Sequence, residues 1–531
     1  MMLMAVNRWF SVKGAIVSLV SLLLLSATAQ ADNKAVSSKP VLSDEAIELK
    51  QAVQKVRPKK HRKLLQSFYT LRNYQPTWKN YSQVSALLKN LRESDKEGLN
   101  PADYRLDEIK QASGLQQELI LTDVLLSYAH DLRDGVHSPQ QVDRRWHIRK
   151  PKFNLVGEVS KAVEYGRLRA FLKDLAPPHE EYAALRAQLR EHRKVAKRGG
   201  WPDFPARGPR RLDPGDRHQQ VESLRARLAV TDKAASSSAD SQLYDDALVE
   251  AVKRFQRRHG LNDDGVVGGA TRAALAVPIE QRIEQIIASM ERWRWMPREL
   301  GSSYVIVDVP AYRLWFHQPG KKPLTMRTIV GDYKNQTPSF TQKMKYLVMN
   351  PNWYVPNSIA SKELAPKISE DPDYVDRAGF KVYDKQSKQQ IDPASVDWAS
   401  LGTGSEFPYR IVQSSGNTNA LGDIKFIFPN RHGIYLHDTS APSLFRKDKR
   451  ALSHGCIRIE KPLELAARIL GTSSPDEIAS MIQSSSHNRH VNLKGEIPVY
   501  LVYMTAWSEG KGDISFFNDI YKRDRRLLAA K

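Results

Sequence analysis

Cys456 is the single cysteine among 531 residues, and it stands in Ser453-His454-Gly455-Cys456-Ile457-Arg458. A lone thiol forms no internal disulfide and no multi-cysteine zinc site. Fifteen residues separate Ser453 from His437, which lies in Gly433-Ile434-Tyr435-Leu436-His437-Asp438. A cysteine with an imidazole in reach is the residue pair of nucleophilic acyl transfer. A thiol of pKa ~8.5 is mostly protonated near neutrality and needs a neighbouring base. A free cysteine is ordinarily a small core hydrophobe, but polar His454 and flexible Gly455 beside Cys456 argue against that reading. A metal centre finds little support. His432 and His437 face opposite sides of an expected strand, and the chain has no His-Glu-x-x-His, phosphate loop or dinucleotide fingerprint. No metal or organic cofactor is expected.

The other roles follow from position. Cys456 is the candidate nucleophile and His437 its base, closing a strand that carries Tyr435 on the same face. His454 is expected to shape the turn through its own hydrogen bonds, and Ser453 is a candidate for oxyanion or active-site support. Gly455 allows unusual dihedrals, and its N–H is expected to join that of Cys456 in holding an oxyanion. The Tyr435 hydroxyl is a further candidate there, and core packing is almost as good an account of it. The Arg458 guanidinium suits bidentate recognition of a carboxylate, with a structural ion pair as the alternative.

These side chains need a scaffold. Short β-branched or aromatic runs predict strands at 304–309, 312–316, 326–330, 346–349, 424–428, 433–437 and 498–505. Many short strands imply a sandwich or barrel-like unit, interrupted near 355–408 by a more polar insertion of helical and loop character. Before it, residues 44–186 read as mainly helical, with the clearest apolar periodicity from Glu118 to Leu132. Residues 187–218 are dense in Arg, Lys, Gly and Pro and read as an exposed basic linker. A small helical module follows, with Ala247, Leu248, Ala251, Val252 and Phe255 on one stripe.

Arg8 and Lys13, the apolar Ala15–Leu25 and Ala29-Gln30-Ala31 read as a secretory signal over residues 1–31. Its apolar run is shorter than the roughly 20 residues that cross a bilayer. In an oxidising compartment a single retained thiol implies chemical use. The net charge of +22 suits nucleic acid, an anionic membrane or an anionic polymer, and export makes nucleic acid the least fitting. A membrane association is expected only if the signal segment stays uncleaved.

The spacing from His437 to Ser453-His454-Gly455-Cys456 resembles the L,D-transpeptidase catalytic domain of peptidoglycan synthesis. Glu291-Arg292-Trp293-Arg294-Trp295, Asn350-Pro351-Asn352-Trp353, the stretch from Tyr500 to Trp507 and Asp519-Ile520-Tyr521 extend the likeness to the larger Gram-negative members. The run Phe255-Gln256 to Gly260-Leu261, then Asp264-Gly265-Val266-Val267-Gly268, is similar to the peptidoglycan-binding type 1 domain.

The resemblance implies an α+β multi-domain protein. It would have a helical scaffold domain over 44–186, the basic linker over 187–218 and a three-helix peptidoglycan-binding domain over 219–278. A mostly β catalytic domain would span 302–524, with a lid-like insertion at about 356–407, and a tail would cover 525–531. It further implies a periplasmic enzyme whose partners are stem peptides and possibly the glycan-synthesising enzymes. Cys456 would become a thioester and carbapenems would acylate it. Trp353 and Asn352 would line the cleft, and a backbone carbonyl rather than the Asp438 carboxylate would orient the base. The acceptor of the acyl group stays open between a stem-peptide amine, giving 3→3 cross-links, water, and a protein lysine. A non-catalytic wall-binding scaffold is the reading from a different class.

Overall fold

The computed structural model describes residues 42–56, 62–207, 211–236, 240–401, 407–508 and 513–530. The expected signal segment 1–31 lies outside the described residues. The scaffold region is helical, and its longest element is Gly114–Asp134. Leu121, Leu125, Ala129 and Leu132 of that helix enter one core with Phe68, Leu87 and Val159, as their three- and four-residue spacing requires.

The first part of the expected basic linker is not a linker. Residues 187–197 complete the helix Glu180–Lys197. Tyr182, Leu185, Leu189 and His192 are buried, an apolar stripe that dense Arg and Lys on the other faces concealed. Leu212, near the linker's other end, pairs with Val267 and sits in the core of the small module with Leu248 and Phe255. That module is built on helices Gln219–Ala229, Asp246–Arg258 and Gly269–Leu275.

Helix Ile279–Arg294 holds these parts against the β region. Its Trp293 and the following Trp295 share a cluster with Leu185 and Leu189 of the scaffold and with Trp315 and Trp507. Two buried ion pairs form at the C-terminal end of this helix. Arg292 Nη1 meets Asp524 Oδ1 at 2.5 Å, and Arg294 Nη1 meets Glu291 Oε2 at 2.8 Å.

The β region is formed by β1 (Tyr304–Asp308), β2 (Arg313–Gln318), β3 (Lys321–Gly331) and β4 (Phe340–Met349), then β5 (Trp353–Tyr354), β6 (Phe380–Asp384), β7 (Gln390–Ile391) and β8 (Tyr409–Gln413). It continues with β9 (Ile424–Ile427), β10 (Leu436–His437), β11 (Ala451–Ser453), β12 (Ile457–Ile459) and β13 (Arg489–Val502). The main sheet runs β11-β3-β12-β10-β9-β4-β13-β1-β2, and β2 also pairs with β3. That last pairing closes a barrel, with β11 attached outside it. The expected strand 433–437 is ordered as β only at Leu436–His437, because Gly433 takes a positive φ of 65° and turns the chain before the ladder begins. Val305, Phe316, Leu347, Leu436, Ile457 and Leu501 fill the interior, and helices Pro462–Leu470 and Pro475–Gln483 pack onto them.

The insertion is more ordered than its polar sequence implied. It forms its own sheet, β5-β8-β6-β7, and its own core around Ile359, Leu364, Ile368, Phe380, Val382, Trp398 and Ile411.

The buried Arg292–Asp524 pair sets a stability test. Removing one partner strands the other charge without water, a loss of about 3–5 kcal/mol. Arg292→Met is expected to lower the denaturant midpoint of the full chain accordingly. A variant with the wild-type midpoint would show that the pair contributes nothing.

Candidate active site

β10 lies between β9 and β12, antiparallel to the first and parallel to the second. Leu436 stands opposite Phe426 and Ile457, and all three are interior. Side chains alternate along a strand, so the next residues point outward. His437 is then flanked by Lys425 on β9 and Arg458 on β12. One step back, the Tyr435 carbonyl accepts from Ile457 N at 3.1 Å, which places Cys456 beside Tyr435 on the same outer face. The structure thus gathers Tyr435, His437, Cys456 and Arg458.

The nucleophile turn is tightly braced. Gly455 has φ of 113°, a conformation that a side chain would strain. Ser453 Oγ donates to the Cys456 carbonyl at 2.6 Å and accepts from Gly455 N at 3.1 Å. Ser453 is therefore the turn's brace, the part expected of His454. The Gly455 N–H, expected to hold an oxyanion, is instead committed to Ser453. The Cys456 N–H has no partner among the described residues and remains for that role. His454 turns outward and its Nε2 meets Glu363 Oε1 of the insertion at 2.5 Å.

His437 is buried, and its Nδ1 lies 2.6 Å from the Asp438 carbonyl oxygen. A carbonyl only accepts, so Nδ1 carries the proton and Nε2 keeps its lone pair. The Asp438 carboxylate is turned away, accepting from Asp423 N at 3.0 Å. Burial, then the charges of Arg458 and Lys425, push the His437 pKa down to about 3, against the Asp438 carbonyl. Cys456 is half-buried, and its Sγ donates toward the Gly433 carbonyl at 3.6 Å. Burial pushes the thiol up to about 11, opposed by the Tyr435 N–H, the Arg458 charge and the Tyr435 hydroxyl. Burial and the sulfur in turn keep the Tyr435 hydroxyl protonated. Both shifts favour the uncharged forms, a neutral thiol on the same face as a neutral imidazole.

Arg458 Nε is buried with no hydrogen-bond partner, and neither Arg458 nor Lys425 meets a carboxylate among the described residues. Burial lowers the pKa of both. Lys425 was not anticipated; its place every second residue along β9 was the only signal. Trp353 and Asn352 sit where the insertion begins. Trp353 packs on the insertion's core beside Phe380, ring centroids 6.3 Å apart. Asn352 Oδ1 accepts from Ser415 N at 3.1 Å and ties the insertion's two ends together.

A half-buried thiol, a tautomer-fixed imidazole and a backbone N–H with no partner among the described residues are the groups that acyl transfer uses. Residues 302–492 match the L,D-transpeptidase catalytic domain, residues 63–189 match a scaffold domain, and residues 217–275 match a "Putative peptidoglycan binding domain". Residues 302–492 are thus similar to an L,D-transpeptidase catalytic domain, and the region ahead of them to a peptidoglycan-binding domain, as the motif spacing implied. It is 36% identical over 228 residues to a "Putative L,D-transpeptidase" of Haemophilus influenzae, covering 43% of this chain and 46% of that protein. The chain thus spans about half the length of this curated relative. An L,D-transpeptidase of Mycobacterium smegmatis is 15% identical with a TM-score of 0.18, over 38% of this chain and 58% of its own. One from Xylanimonas cellulosilytica is 17% identical with a TM-score of 0.18, over 56% of this chain and 99% of its own.

The two pKa directions fix the pH dependence of the thiol. His437 stays unprotonated far below pH 6.5, and Cys456 stays protonated well above neutrality. Alkylation of Cys456 by iodoacetamide is expected to rise steadily from pH 7 to pH 10, since the thiolate is the reactive form, with no inflection near 6.5. Intact-mass kinetics across that range check this, and a plateau already reached at pH 7 would contradict it.

Proposed function

We propose that this protein is an extracytoplasmic L,D-transpeptidase of the periplasm that forms 3→3 cross-links between peptidoglycan stem peptides. The observation that carries the reading is the outer face of β10 and β12, where one thiol, one neutral imidazole and two unpaired cations converge. The matched catalytic and peptidoglycan-binding domains support the substrate class.

In this reading Cys456 Sγ attacks the carbonyl of the L-centre of diaminopimelate in a donor tetrapeptide. His437 Nε2 takes the thiol proton as the sulfur–carbon bond forms. The Cys456 N–H faces the developing oxyanion. The carbon–nitrogen bond to the terminal D-Ala breaks, and His437 returns the proton to that amine. A thioester remains. The side-chain amine of an acceptor diaminopimelate attacks it, gives its proton through His437 to the departing sulfur, and leaves the thiol restored.

Arg458 and Lys425 supply charge for the carboxylates that stem peptides carry. Because cations against an uncharged imidazole cost nothing in repulsion, the same burial that holds His437 neutral lets both remain beside it. The peptidoglycan-binding-type domain and the insertion would hold and cover the strand being joined.

The decisive experiment incubates the purified chain with disaccharide-tetrapeptide and reads the products by mass spectrometry. Wild type is expected to yield a cross-linked dimer with loss of D-Ala, Cys456→Ala none, and His437→Gln a rate lower by about 10²–10⁴. Tripeptide without dimer would replace the transpeptidase by a hydrolase with the same nucleophile. Full activity in Cys456→Ala would remove the catalytic reading altogether.

The two cations make a separate test. Arg458→Met and Lys425→Met are each expected to raise KM for the tetrapeptide by roughly tenfold, as for loss of a charge-assisted hydrogen bond. KM unchanged in both variants would mean that neither cation meets the substrate.

A further inference from the structure

The scaffold region reaches the nucleophile by two separate routes, both starting from the segment Asp143–His147. This segment lies along the entry to β4. His147 N donates to the Ser339 carbonyl at 2.6 Å, and Ser339 N donates to the Arg145 carbonyl at 2.9 Å. Trp146 pairs with Ser339 as a parallel bridge, and its buried ring is set edge-on to Trp295 at 5.1 Å. The scaffold thus joins the catalytic domain through a single parallel bridge at Trp146.

The first route runs over the surface. The His147 ring stacks on His432, with centroids 5.0 Å apart and planes within 22°. Arg431 Nη2 donates to His147 Nδ1 at 3.1 Å, which fixes this imidazole as an acceptor and hence neutral. Phe340 closes the other side of His432 at 5.0 Å. The residue after His432 is Gly433, whose carbonyl accepts the Cys456 thiol.

The second route is buried. Asp143 Oδ2 pairs with Arg523 Nη1 at 3.3 Å. Arg523 Nη2 donates to the Thr337 carbonyl at 3.1 Å. Thr337 Oγ1 donates to the Gly455 carbonyl at 2.8 Å and accepts from Gly331 N at 3.0 Å. Arg523 is almost fully buried, and Asp143 supplies the opposite charge beside it at ion-pair distance, without a hydrogen bond from Oδ2.

We infer that Asp143 and His147 of the scaffold region are positioning residues for Cys456, holding the Gly433 carbonyl and the Gly455 turn on either side of the thiol. The inference deepens the acyl-transfer reading and rests on Cys456 being its nucleophile. The scaffold is then part of the active site's framework and not only a spacer before it. A misplacement of a nucleophile by an ångström can cost up to about a hundredfold in rate while leaving substrate contacts intact. The loss therefore belongs in kcat and not in KM.

The test uses the full chain with His147→Ala, His147→Phe, His432→Ala and Asp143→Asn. Two readouts are taken on each: kcat and KM with disaccharide-tetrapeptide, and the rate constant of Cys456 with iodoacetamide. Loss of the ring stack in His147→Ala or His432→Ala is expected to lower kcat by about two- to tenfold, with KM unchanged and the alkylation rate altered. His147→Phe keeps the stack and is expected to restore both readouts. Asp143→Asn is expected to lower kcat at constant KM through the other route. Wild-type kcat and alkylation in His147→Ala and Asp143→Asn would overturn the inference. So would a His147→Phe variant as impaired as His147→Ala, since a generally weakened interface is not rescued by a ring. If His147→Ala does not fold, His432→Ala and Asp143→Asn decide. If wild type leaves the tetrapeptide untouched, the transpeptidase reading fails, while the alkylation rates still decide the positioning.

Discussion

Everything at this site depends on the parallel pairing of two very short strands. β10 has two residues and β12 three, yet their register decides which side chains meet. Leu436 opposite Ile457 commits one face to the barrel interior, where both are buried in a continuous apolar cluster. The pleat then commits Tyr435, His437, Cys456 and Arg458 to the other face. A slip of one residue would drive a guanidinium and an imidazole into the core and expose Leu436 and Ile457. The barrel's hydrophobic interior is thus what fixes the geometry of a polar site outside it.

That geometry selects a particular resting state. The imidazole and thiol are both removed from water, and burial disfavours the charged form of each. The two cations beside His437 push in the same direction as burial. A preformed thiolate–imidazolium pair would place a positive imidazole between Lys425 and Arg458. The neutral pair avoids this, and it also protects the thiol, because oxidation follows thiolate character.

The chemistry was more legible in the sequence than its support. Cys456 and His437 stand out because a lone thiol and an imidazole have few other uses together, and the motif's spacing spans the connection that runs from β10 through β11 to β12. The barrel was legible from β-branched runs, and Leu248 and Phe255 from helical periodicity. Backbone groups carry no such signature: the Asp438 and Gly433 carbonyls are anonymous in a sequence. The donor to the Gly455 carbonyl is Thr337, over a hundred positions earlier, and no local pattern announces that. His454 misled because a polar residue beside the nucleophile invites a turn role, which the smaller Ser453 hydroxyl fills. The helix at 187–197 was hidden by its charged faces, and the insertion's sheet by short strands between polar loops.

The three regions also differ in how firmly they are joined to the nucleophile. The scaffold side is sealed by an aromatic cluster and by buried ion pairs on helix Ile279–Arg294, interactions that lose much if either partner moves. The insertion has a separate core and meets the nucleophile turn through the His454–Glu363 contact, both of whose side chains are well exposed. Such an exposed pair is worth ~0.2–1 kcal/mol, little enough for thermal motion to open. The two sides of the nucleophile turn are therefore held unequally: a wall fixed by buried pairs and an aromatic cluster on the scaffold side, and a weakly clasped insertion on the other.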